Sequence, residues 1–142
     1  MNLKRLLVFL IPLLFSAQCT VQKQNISQPP KIVFGDQRLK DIHDEFLKDL
    51  SDYQIATLNK KPLRVFEYQS LGYTYWGLTF PEASVIMIDT TFMQGSKEIL
   101  YVVAYHELAH FYLRAKHEEF CNLCIMQPKI SKENAERIYN NI

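Results

Sequence analysis

His106, Glu107 and His110 stand in the stretch His106-Glu107-Leu108-Ala109-His110, and these residue types at this spacing can hold and use a metal ion. Residues four apart on a helix lie one turn apart on the same face, so both imidazoles can reach one zinc ion from a rigid support. Glu107 is turned by about 100° from His106 on such a helix. From there it can take a proton from a water that the metal polarises, without being a ligand itself. Hydrolysis of a peptide bond needs this arrangement. Chance would produce the pattern in a chain of this size roughly once in several hundred sequences. Two histidines and a glutamate inside an otherwise apolar helix are also costly to bury without partners, and a metal ion is such a partner.

A catalytic zinc takes three protein ligands and keeps one position open, so a third ligand is required. His117 is the candidate. On an unbroken helix it would lie about 10 Å further along the axis than His110, so the chain must turn sharply near Ala115. Glu133 or Glu136 would take its place in a gluzincin-type arrangement. His43, on the charged side of an earlier helix, reads as a solvated surface residue. Tyr105, Tyr112 and Tyr139 could each bring a hydroxyl to a developing oxyanion, or serve as aromatic core. Cys121 and Cys124 form a CxxC pair that reads as a disulfide staple, a second metal site with His117, or a redox pair. No strand leads into it as in a thioredoxin-type site, which leaves the staple as the default in an oxidising compartment.

His106, Glu107, His110 and His117, followed by Cys121, Cys124, Ile125 and Met126, resemble the metzincin signature HExxHxxGxxH and its Met-turn. The tail from Ile130 to Tyr139 is similar to the closing helix of matrixin-like members, and the Cys-Ile-Met ending to archaemetzincins. The resemblance runs from about Tyr73 to Tyr139. It implies one zinc ion per chain held by His106, His110 and His117, with Met126 beneath the metal. It also implies that a strand within Tyr73 to Phe80 pairs with extended substrate. Six residues rather than five separate His110 from His117, and no glycine stands where the helix must break. Arg114 or Ala115 must therefore adopt a left-handed or otherwise strained conformation, at a cost of about 1 kcal/mol that zinc ligation can offset.

The elements that must position these residues can be read from periodicity. Ser96 as N-cap with Glu98 in the first turn opens a helix running to about Arg114, apolar all round from Ile99 to Tyr105 and hence central to the domain. Leu39, Ile42, Phe46, Leu50 and Tyr53 give an amphipathic helix from Asp36 to about Tyr53. Strands are expected at Leu63 to Tyr68, Tyr73 to Phe80 and Ser84 to Asp89, the last two flanking Pro81, Glu82 and Ala83 as neighbours. Ser131 caps a short final helix that turns Ala135, Ile138 and Tyr139 inward. The fold class is α+β and zincin-like: a small mixed sheet with an N-terminal helix, a central active-site helix and a C-terminal helix. No internal repeat is present.

Upstream, Lys4 and Arg5 precede an apolar run from Leu6 to Phe15 and the small pair Ser16 and Ala17, which reads as an export signal over residues 1–18. Cys19 follows directly and resembles the lipid-accepting cysteine of bacterial lipoproteins, which implies a lipid anchor in the cell envelope; ordinary secretion is the alternative. Residues 19–31, polar and bearing Pro29 and Pro30, read as a flexible tether, and residues 32–142 as one domain. The chain is 48% hydrophobic and 13% aromatic, enough for a real core without several disulfides. Its 16 basic and 15 acidic residues leave a net charge of +1, which argues against a nucleic-acid partner. The sequence therefore points to a zinc peptidase acting on a peptide or protein, and a non-catalytic metal-binding lipoprotein with a zincin shell is the competing reading.

Overall fold

A computed structural model describes residues 30–119, 121 and 124–141, with the backbone alone at Tyr73. The export signal over 1–18, the candidate lipidation site Cys19 and all but the end of the 19–31 tether lie outside the described residues. No helix among the described residues is long and apolar enough to cross a membrane.

The described chain is α+β, with a four-stranded mixed sheet and three α-helices. In chain order the strands are β1 (Val33–Phe34), β2 (Val65–Gln69), β3 (Gly77–Phe80) and β4 (Val85–Asp89). The helices are α1 (Gln37–Asp52), α2 (Lys97–Leu113) and α3 (Lys132–Tyr139). The sheet order is β1-β2-β4-β3; β1, β2 and β4 run parallel, and β3 is an antiparallel end strand. β1 is too short to show a period in sequence and was not expected as a strand. The β3 strand is shorter than the Tyr73 to Phe80 run that the residue types suggested, because Gly72–Thr74 winds into a 3₁₀ turn around the positive φ of Gly72.

Capping fixes where each helix starts. Asp36 accepts from the Leu39 amide at 3.0 Å, and Ser131 from that of Asn134 at 3.2 Å. Ser96 caps α2, as its sequence predicts, by accepting from the Ile99 amide. On α2 every residue from Ile99 to Ala109 is buried, which is the all-round burial that its lack of a polar face requires. It packs against α1, α3, β3 and β4. Phe66, Ile86 and Ile88 of the sheet join Leu39, Leu100, Leu108 and Phe111 in the core.

His43 is a correction to the sequence reading. Its side chain is 3% exposed rather than solvated, with Nε2 2.8 Å from the Tyr112 hydroxyl on α2 and Nδ1 3.2 Å from Asp44. On a helix, positions 39, 43, 46 and 50 form one stripe, and that stripe, with Ile42 beside it, is the buried face of α1. Burial holds the His43 imidazole below its usual pKa, with Asp44 pulling the other way.

Candidate metal centre

Where α2 ends, Arg114 takes the left-handed conformation, with φ 53° and ψ 29°. The Arg114 and Ala115 amides both bond back to the Ala109 carbonyl, which closes the helix and throws the chain sideways. The break falls at one of the two residues that the spacing singles out, and it does so without glycine. Its result is to bring His117 back beside the helix it has just left.

The three imidazoles converge. Nε2 of His106 lies 3.0 Å from Nε2 of His110 and 3.1 Å from Nε2 of His117, and the last two stand 3.1 Å apart. Two of these rings have their tautomer fixed from behind. His106 Nδ1 donates to the Ile125 carbonyl at 2.6 Å, and His110 Nδ1 to the Ala115 carbonyl at 2.7 Å. A carbonyl oxygen only accepts, so each Nδ1 carries the proton and each Nε2 presents a lone pair. Two lone pairs facing each other at 3.0 Å repel, and a shared cation turns that repulsion into ligation. A tetrahedral zinc with bonds of about 2.0–2.1 Å would set its nitrogens about 3.3–3.4 Å apart, within a few tenths of an ångström of what is seen. These residues can hold a metal ion, and among the described residues no other His, Cys, Asp or Glu joins the group. Burial also disfavours the protonated form of the two helix rings: it lowers the His106 pKa to about 4 and pulls that of His110 down.

The backbone acceptors show why the two halves of the centre depend on each other. The turn that delivers His117 supplies, through Ala115, the carbonyl that orients His110. The segment after it supplies, through Ile125, the carbonyl that orients His106. Such partners behind a ligand fix ring orientation and raise its basicity. The Glu118 amide closes the segment on the Met126 carbonyl at 2.8 Å, and Met126 itself packs against the core.

Cys121 and Cys124 do not form the staple expected of them. Both are free thiols, and Cys124 Sγ lies 3.8 Å from the Cys121 carbonyl. Backbone bonds close the segment instead, from Cys121 to Glu118 and from Gln127 to Cys124. Neither thiol belongs to the histidine group, and neither do Glu133 and Glu136, which are exposed on α3. The three tyrosines point elsewhere. The Tyr105 hydroxyl bonds Asp49 at 2.9 Å, the Tyr112 hydroxyl bonds His43, and Tyr139 packs edge-on against Tyr101.

Glu107 is 5% exposed and sits between α2 and β3. Its Oε2 accepts from the Thr79 hydroxyl at 2.6 Å. Burial pushes the Glu107 carboxyl up to about 7, and the Thr79 bond works against that rise. A cavity of about 640 Å³ opens over the centre. It is lined by Trp76, Gly77 and Thr79 from the β3 region, by Val103, His106, Glu107 and His110 of α2, by His117, and by residues 127 to 130. Gln127 there is buried, and its side-chain nitrogen has no hydrogen-bond partner in the protein. A second hollow, of about 690 Å³, lies between α1, α2 and Tyr139 and contains no histidine.

Comparison with protein-family models, with curated proteins and with solved structures found no match for this chain. The site is therefore read from its own geometry.

Proposed function

We propose that this protein is a zinc-dependent peptidase with a zincin-like fold, in which His106, His110 and His117 hold the metal and Glu107 is the general base. The convergence of three Nε2 atoms within 3.1 Å of one another, on rings oriented by backbone carbonyls, carries the reading. Three ligands with a fourth position left to solvent or substrate is the coordination of a catalytic rather than a structural zinc, which favours an enzyme over a metal-storing shell. It also favours His117 over Glu133 or Glu136 as third ligand.

A zinc ion held by His106, His110 and His117 would supply Lewis acidity to the scissile carbonyl and to water. The chain's own residues do the rest. β3 ends the sheet, and its edge, unpaired among the described residues, offers backbone groups to an extended peptide laid across the cavity. Glu107 takes the proton of the attacking water at its carboxylate and hands it to the departing amine. The Cys-free histidine group needs no disulfide to form. The leader sequence and Cys19 support export and anchoring by lipid in a bacterial cell envelope.

Elemental analysis of the domain from Ile32 onward, beside a peptide-library screen, tests the reading. One zinc per chain and cleavage of peptides are expected. In Glu107→Gln the zinc should remain while turnover falls by about 10²–10⁴-fold. A Glu107→Gln variant that cleaves normally would remove Glu107 from its role, and a wild-type domain that binds no zinc would remove the proposal.

A further inference from the structure

β3 turns unusually small and polar residues toward the helix layer. Gly77 and Thr79 pair across the sheet with Ile88 and Ile86, whose side chains are fully buried. The pleat therefore puts all four on the face that meets α2. A core-facing strand position ordinarily carries a branched or aromatic side chain, as Phe66, Ile86 and Ile88 do. Glycine there gives up packing and backbone stability. At both β3 positions the group opposite is Glu107. Thr79 Oγ1 lies 2.6 Å from Oε2 and 3.0 Å from the Glu107 carbonyl oxygen. A Cβ on Gly77 would come within 2.6 Å of Glu107 Cγ and Oε1 and 2.8 Å of Cδ, so the side chain can occupy this place only because residue 77 has none.

We infer that Gly77 and Thr79 are positioning residues that seat the Glu107 carboxyl group against β3. The inference rests on the peptidase reading above. Gly77 gives the carboxyl its room, and Thr79 fixes its rotation. A threonine hydroxyl suits a base that must accept a proton and return it, because it can both donate and accept. With Glu107 ionised, the hydroxyl donates to Oε2. With Glu107 protonated, it can accept from Oε2–H and turn its own hydrogen to the Glu107 carbonyl. The carboxyl group need not move between the two halves of the reaction, and strand β3 thereby fixes the base on the same element that offers its edge to the peptide.

Four proteins test this: wild type, Thr79→Val, Thr79→Ser and Gly77→Ala, each measured for zinc content, thermal midpoint, kcat and KM, with crystal structures of Thr79→Val and Gly77→Ala. Thr79→Val should keep its zinc and KM while kcat falls about 10–100-fold, the scale of a misplaced catalytic group. Thr79→Ser should restore most of the loss, which a merely structural threonine would not require. Gly77→Ala should show the carboxyl displaced from Thr79 and a kcat lower still. Both variants folding, holding zinc and turning over at the wild-type kcat would overturn the inference and leave the peptidase reading intact. So would a rise in KM at constant kcat, which would assign Thr79 to the substrate. If wild type holds zinc yet cleaves no peptide, the peptidase reading falls. The crystal structures then decide the seating alone: a carboxyl unmoved in both variants overturns it, and one released in both upholds it.

Discussion

α2 and the segment that follows it build the same centre from opposite materials. The helix places His106 and His110 by regular geometry, His106 inside the stretch buried from Ile99 to Ala109 and His110 half-buried just past it. Among the described residues, the segment from Arg114 to Ile130 has no repeating backbone bonds; its His117 is exposed, and it is held by a left-handed Arg114 and a handful of backbone bonds. A ligand pair on a packed helix is in place before the metal arrives, whereas a ligand on such a segment gains its order partly from the metal it binds. The difference teaches where rigidity would be needed: on the proposed function the base and two ligands share the stiff element, and the adjustable ligand closes the site.

Several measurements can break or sharpen that contrast. The largest effect should come from removing ligands. His110→Ala should abolish measurable zinc binding, and His117→Ala should weaken it by more than the 10–100-fold typical of losing an outer hydrogen-bond partner. Equal, small losses from the two would mean that the third ligand lies elsewhere. Next, hydrogen exchange with and without a chelator should show amides from 114 to 119 and 124 to 130 gaining exchange on zinc removal while those of 99 to 109 hold. Uniform loosening of both would erase the distinction.

A smaller effect concerns the helix break. Arg114→Gly removes the left-handed penalty and should raise apo-protein stability by about 1 kcal/mol in denaturant titration. Its cost is only the exposed pairing with Glu82 at 3.1 Å, which weighs little. The smallest effect is expected on the far side of α2. Burial holds the folded His43 imidazole below the usual 6.5. The unfolded chain therefore takes up a proton that the folded chain refuses as pH falls through 6.5, and stability drops. In chelator, the apo His43→Gln protein should lose less stability between pH 7 and 5 than apo wild type, which keeps the contribution of the other histidines common to both.

The elements with strong local signals were legible in the sequence. α2 was framed by Ser96 and its apolar run, α3 by Ser131, and β4 by its β-branched residues. The need for a sharp break near Ala115 followed from helix geometry alone. What failed to show were features decided by distant partners. His43 looked polar because Lys40, Asp41 and Asp44 surround it in sequence, yet its spacing from Leu39, Phe46 and Leu50 was the better guide. β3 hid its meaning more completely. In Gly77-Leu78-Thr79-Phe80 the apolar residues turn away from the core and Phe80 is 45% exposed, so hydrophobic alternation points to the wrong face. Only the presence of Glu107 opposite explains that inversion. The thiols of Cys121 and Cys124 show the limit of reading a spacing: CxxC permits a bridge, but the local backbone is closed without one.

The free edge of β3 has a bearing on how the protein behaves in concentrated solution. A sheet edge that can take one guest strand can take any other, including the same edge of another copy. Gly77–Phe80 carries no charge and no proline to repel one, and its last residue, Phe80, is exposed. What limits the hazard is length. The strand spans four residues before Pro81 and Glu82 end it, too few for a stable self-paired ribbon in water. On the proposed function, solubility and access to the site are set by the same short stretch, and lengthening that strand to grip a peptide more firmly would also make the molecules adhere to one another.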